Sequence, residues 1–253
     1  MKRTLLLSAL AAILLVAACN DDETPTSKLD LRMTATFGQQ PLVMFEEIYD
    51  YQGQPLQFQL FQTYLSDVRL VYTENGTEKE QPVADILLAN FGEVFTTAEA
   101  ELGLELLSQD IPARNYTGLR FGLGVSPELN ATVPPDYELT HPLAQNYWED
   151  ADSYIFYKIE GNADIDKDGE LNEKITYHVG GDNNYALVEV TAPIDMESEG
   201  MELVLNMDLE AGMTTADGDF INFEEFRMAH STESPAAVFL GDNLPRGISL
   251  SLR

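Results

Sequence analysis

The strongest constraint on the fold is a two-residue period. Leu29-Asp30-Leu31-Arg32-Met33-Thr34-Ala35-Thr36-Phe37 carries apolar side chains at nearly every second position. In an extended chain these fall on one face, the pattern of a strand with one side buried. The alternation returns in Leu56 to Phe61, in Leu65 to Tyr72, and over Tyr116 to Val125 with Leu119, Phe121 and Leu123 on one face. Ser153 to Glu160, Lys174 to Val179, Tyr185 to Val190, Glu202 to Met207 and Ile248 to Leu252 are further short strand candidates, and Glu74-Asn75-Gly76-Thr77 reads as a turn. Residues 97–108, with Ala and Glu, and Glu224 to Ala229 are candidates for short helices. The set predicts a mainly β protein: an antiparallel β-sandwich with long loops at 126–147 and 208–222 and one or two short helices. No internal repeat and no linker-like composition follows residue 28, so residues 29–253 read as a single domain.

The N-terminus predicts export. Met1-Lys2-Arg3 is a basic start, and Leu5 to Ala18 is an apolar run too short for a comfortable membrane span. Residues 1–18 read as a lipoprotein signal peptide, because Val16-Ala17-Ala18-Cys19 sets small residues before the chain's single cysteine. A lipid on Cys19 anchors a protein to a membrane without spanning it and leaves no thiol for a disulfide or thiolate metal site. Residues 19–28 then form a tether, whose acidic Asn20-Asp21-Asp22-Glu23 resembles a surface-export signal of Bacteroidetes lipoproteins. Both an outward and a periplasm-facing position on the outer membrane fit. The formal net charge is −29, and −31 once Lys2 and Arg3 leave with the signal. Such a surface repels phosphate backbones and anionic headgroups, which excludes nucleic acid and basic-patch membrane docking. With 44% hydrophobic residues the chain still has a core.

Acidity suits cations, and one segment concentrates it. In Asp164-Ile165-Asp166-Lys167-Asp168-Gly169-Glu170-Leu171-Asn172 the carboxylates of Asp164, Asp166 and Asp168 take positions 1, 3 and 5 of a tight loop. Gly169 permits the sharp turn, the Glu170 carbonyl takes position 7, and oxygen donors suit calcium. Position 12 is Ile175 rather than a bidentate Glu, so Glu173 is the replacement, with Asn172 acting through water. An isolated calcium loop and a metal-free acidic hairpin turn both fit. A second acidic stretch, Asp217 to Phe226, lacks the first Asp-x-Asp and reads as a polar turn leading into a short helix.

Five segments together carry a family resemblance. They are Phe61 to Leu70; Ile111 to Val125; His141-Pro142-Leu143 with Tyr147-Trp148 and Tyr154 to Gly161; Tyr177-His178-Val179-Gly180; and Met228-Ala229-His230-Ser231 with Asp242-Asn243-Leu244. In order and spacing this set resembles MbnP-like proteins, which are exported, β-rich and copper-binding. Some of these pair with a di-haem peroxidase homologue that oxidises a Trp to kynurenine. The resemblance implies His178 and His230 as copper ligands, Trp148 as the modified residue or a neighbour of the site, and His141 as a further candidate. Neutral imidazole suits copper. Asp150 stands where the family has a second Trp, and Ser153 where it has Gly.

The expectation is therefore a non-enzymatic, exported metal-binding lipoprotein with a copper site and a structural calcium loop. The alternative is a cell-surface glycan- or protein-binding module without copper, in which Tyr137, Tyr147 and Trp148 stack on a sugar. A hydrolase lacks support, since the chain has neither a Gly-x-Ser-x-Gly elbow nor His-Glu-x-x-His.

Overall fold

A computed structural model of the protein describes residues 25–46, 48–197 and 200–253. Cys19, the expected signal segment and the acidic run behind it lie outside the described residues. The strands in chain order are β1 (Thr26–Phe37), β2 (Gln40–Pro41), β3 (Tyr49–Tyr51), β4 (Gln54–Glu74), β5 (Thr77–Asn90), β6 (Leu104–Pro112) and β7 (Asn115–Leu123). They continue as β8 (Tyr147–Trp148), β9 (Ser153–Ala163), β10 (Glu173–Gly180), β11 (Ala186–Asp195), β12 (Met201–Asp208), β13 (Met228–Ala229) and β14 (Ile248–Leu252). Four short helices, α1 (Thr97–Leu102), α2 (Pro127–Asn130), α3 (Leu209–Gly212) and α4 (Pro235–Asn243), sit between strands. No described helix is long and apolar enough to cross a membrane.

The strands form two sheets, consistent with the predicted sandwich. One is ordered β14-β12-β1-β2, with β6 also on β1; the other runs β11-β7-β4-β9-β10-β13, with β3 and β5 on β4 and β8 on β9. Alternate residues of β1 (Leu29, Leu31, Met33, Ala35, Phe37) and of β4 (Leu56, Phe58) are buried between them. Phe37 meets Phe58 across the layers with ring centroids 5.6 Å apart. Burying such rings is the main source of stability for the sandwich.

Five expectations need correction. Pairing is not wholly antiparallel: β1 with β12 and β10 with β13 run parallel. The tether ends sooner than residue 28, because Thr26, Ser27 and Lys28 already pair with Pro112, Ile111 and Asp110 of β6. The helix at 97–108 stops at Leu102, where Gly103 adopts φ +75° and the chain turns into β6. Glu224 to Ala229 is no helix; it is a turn running into β13. The two strand candidates within residues 54–74 are one strand, β4, bent at Asp67, whose φ is +50°.

Candidate metal centre

The site grows out of the antiparallel β9–β10 pair. In β10, Ile175, Tyr177 and Val179 are fully buried, so the alternation turns Thr176 and His178 to the outer face. In β9, Tyr157, Ile159 and Gly161 point inward and Lys158 and Glu160 outward. The register sets His178 opposite Lys158 and Thr176 opposite Glu160. Glu160 thus sits diagonally beside His178, and its Oε1 lies 2.7 Å from Nε2 of His178. A carboxylate has no proton to give, so Nε2–H is the donor and the lone pair of Nδ1 is left open. This is how a carboxylate orients a metal-binding imidazole. Lys158 is drawn elsewhere: its ammonium donates to Oδ1 of Asn146 at 2.6 Å. Burial lowers its pKa, partly offset by the Glu160 charge.

The second histidine arrives from a distant part of the chain. β13 lies parallel to β10, with Met228 opposite Thr176 and Ala229 opposite Tyr177. Ala229 is buried and Met228 is 60% exposed, so Met228 and, one step on, His230 face outward beside His178. Two anchors hold this stretch. Tyr177 donates its hydroxyl to the Phe226 carbonyl at 2.6 Å, and Nδ2 of the buried Asn184 donates to the Thr232 carbonyl at 2.8 Å. The His178 and His230 ring centroids are 5.2 Å apart, with the planes tilted by 33°. Imidazoles sharing one metal through bonds of about 2.0–2.1 Å have centroids roughly 5–6 Å apart, so the pair fits a single ion. The His178 side chain is 26% exposed and His230 is exposed, which leaves an approach from solvent.

The other residues expected at the copper site come from other parts of the backbone. His141 stacks on Tyr137 at 4.2 Å, and its Nδ1 accepts the Leu143 N–H at 3.2 Å. It caps the turn at Pro142 to Ala144. Trp148 pairs with Ser153 on β9, five residues before Lys158 and hence about 16 Å along the strand from the His178 row. Of the aromatics considered for a sugar, Tyr137 stacks on His141 and Tyr147 packs edge-on against Tyr154, while Tyr147 and Trp148 stay partly exposed.

The acidic loop links β9 to β10. Asp164, Asp166 and Glu173 each bring a carboxylate oxygen to within 4.8 Å of the other two. Asp168, which accepts the Glu170 N–H at 2.8 Å, lies outside that cluster, as do the exposed Glu170 and Asn172. In the second acidic stretch Phe223 is buried and stacks on Tyr51 at 5.0 Å, so it serves the core. Glu160 and Met228 were not singled out from sequence. Glu160 had a signal, being with Lys158 one of two charged positions on the outward face of β9.

A family model described as MbnP matches residues 26–228. The solved structure of MbnP from Methylosinus trichosporium is similar to this chain with a TM-score of 0.52 at 14% identity, over 90% of this chain and 99% of that one. At that identity the likeness speaks for the fold. No curated protein matches the sequence.

Proposed function

Because the chain belongs to the MbnP family, we propose that it is an exported copper-binding protein whose ion is held by His178 and His230. The observation that carries this reading is the 5.2 Å separation of the two imidazoles, together with the Glu160 contact that leaves Nδ1 of His178 open. Met228 supplies a third donor: its thioether is exposed on the same face, and soft sulfur with imidazole selects Cu(I). The bound ion would offer a redox-active centre at the solvent boundary. The role of the chain's own groups is to orient the imidazoles and to admit the ion. Residues 1–19 support delivery to the outer membrane through lipid on Cys19.

The test is a Cu(I) competition titration against a chromophoric chelator. One ion per chain is expected, abolished by His178→Ala and by His230→Ala alike. Unchanged affinity in both variants would overturn the reading.

A further inference from the structure

The hairpin end between β9 and β10 stands apart from the histidine pair and has different chemistry. Asp164 is only 6% exposed. Its Oδ2 accepts the Gly169 N–H at 3.1 Å, but its Oδ1 is buried and meets no hydrogen-bond donor. Among the described residues, no Lys or Arg forms an ion pair with Asp164, Asp166 or Glu173. A carboxylate taken out of water without a cation or a full set of donors is strongly unfavourable, so this buried oxygen calls for a positive partner.

The neighbouring carboxylates are prepared in the same way. One oxygen of Asp166 accepts the Asp168 N–H at 3.2 Å, and one of Glu173 accepts the Ile165 N–H at 3.0 Å. Each of the three side chains is therefore oriented through one oxygen and leaves the other uncommitted. Oxygens sharing a calcium ion at about 2.3–2.6 Å lie no more than roughly 5 Å apart, and the three groups meet that limit at 4.8 Å. Hard oxygen donors disfavour copper and zinc, and an irregular loop suits the loose coordination of calcium better than the strict octahedron of magnesium.

We propose that Asp164, Asp166 and Glu173 bind one Ca²⁺, with water and loop carbonyls completing its shell. The ligand set is not that of the Asp-x-Asp-x-Asp spacing. Asp168 is replaced by Glu173, the first residue of β10. The ion therefore ties the residue after β9 to the start of β10 and neutralises the buried Asp164 oxygen.

The experiment uses copper-free, EDTA-dialysed protein, so its failure would leave the copper reading standing. Calcium chloride is titrated by calorimetry and by thermal melting. One ion per chain is expected, with a dissociation constant of about 10⁻⁴–10⁻³ M as in extracellular modules, and a melting temperature that rises with calcium. Asp166→Asn and Glu173→Gln should each weaken binding by about tenfold or more while melting like the parent without metal. Asp168→Asn should bind like the parent. Asp164→Asn should lose the calcium response and melt higher than the parent in EDTA, because a buried unpaired charge is gone. No response of the parent at roughly 10 mM calcium, an equal response to magnesium, or a loss in Asp168→Asn matching that in Asp166→Asn would each overturn the proposal.

Discussion

The carboxylate of Glu160 and the imidazole of His178 face each other at 2.7 Å on neighbouring strands, and this contact selects the tautomer with Nδ1 unprotonated. A residue that never touches a metal thereby decides which nitrogen is offered to one. Glu160→Gln should reduce Cu(I) affinity by about 10–100-fold, the usual effect of removing a carboxylate behind a histidine ligand. Binding stoichiometry should stay at one, and the competition titration reads both quantities.

Met228 lies outside the core, so its replacement tests ligation with little effect on folding. Met228→Leu keeps the size and removes the sulfur. Cu(I) affinity should fall by about tenfold or more while the thermal midpoint stays within a degree or two, since exposed substitutions usually change stability by less than about 0.5 kcal/mol. Equal Cu(I) affinity in the variant would remove Met228 from the ligand set.

Gly161 follows Glu160 where β9 pairs with β4, opposite Phe58. A Cβ there would press into the carbonyl oxygen of Gln57, and both strands are held by neighbours. Gly161→Ala should cost about 1–3 kcal/mol in urea unfolding. It should also weaken Cu(I) binding, because β9 must shift and Glu160 shifts with it.

Two buried phenols set a limit on the alkaline side. Tyr157 donates to the carbonyls of Asn184 and Leu123, and Tyr177 to that of Phe226. Burial pushes both pKa values above the ordinary tyrosine value. The unfolded chain loses these protons near pH 10 while the folded chain keeps them. Their contribution is therefore intact below about pH 10 and falls above it, by about 1.4 kcal/mol per pH unit for each tyrosine. Urea midpoints between pH 8 and 11 should show this decline, and Tyr157→Phe should make it shallower.

The sequence disclosed those strands that bury one face. In β1, β7 and β9 the apolar positions coincide with burial along most of the strand, whereas in β14 Ile248 and Leu250 are only half-buried and Leu252 is exposed. β5 was not anticipated, because Thr77 to Asn90 pairs only with β4 and is largely exposed. Its residues feel little pressure to alternate, and Thr-Glu-Lys-Glu-Gln-Pro reads as a charged loop. α4 was passed over although Ser234 and Pro235 mark its start: its Ser234 hydroxyl accepts the Ala237 N–H, and proline takes the first turn. The histidine pair was reachable only through family resemblance. His178 and His230 are brought together by a parallel pairing two residues long, and nothing local in the chain encodes such a pairing. Of the carboxylates expected to ring a cation, the structure brings Asp164, Asp166 and Glu173 together and leaves Asp168 outside the cluster. The spacing rule assumes an EF-hand conformation, whereas here the loop joins two paired strands and the start of β10 supplies Glu173 instead.

That two-residue pairing makes the two histidines unequal. His178 belongs to a strand held along most of its length by β9, whereas His230 follows an edge segment with two ladder positions. Segments so lightly held open at a small fraction of the global unfolding free energy. An ion bridging both side chains would act as a clasp, closing a long loop in the native state alone. Amides around residues 228–232 would then report occupancy by their hydrogen exchange long before the rest of the sheet registers any change.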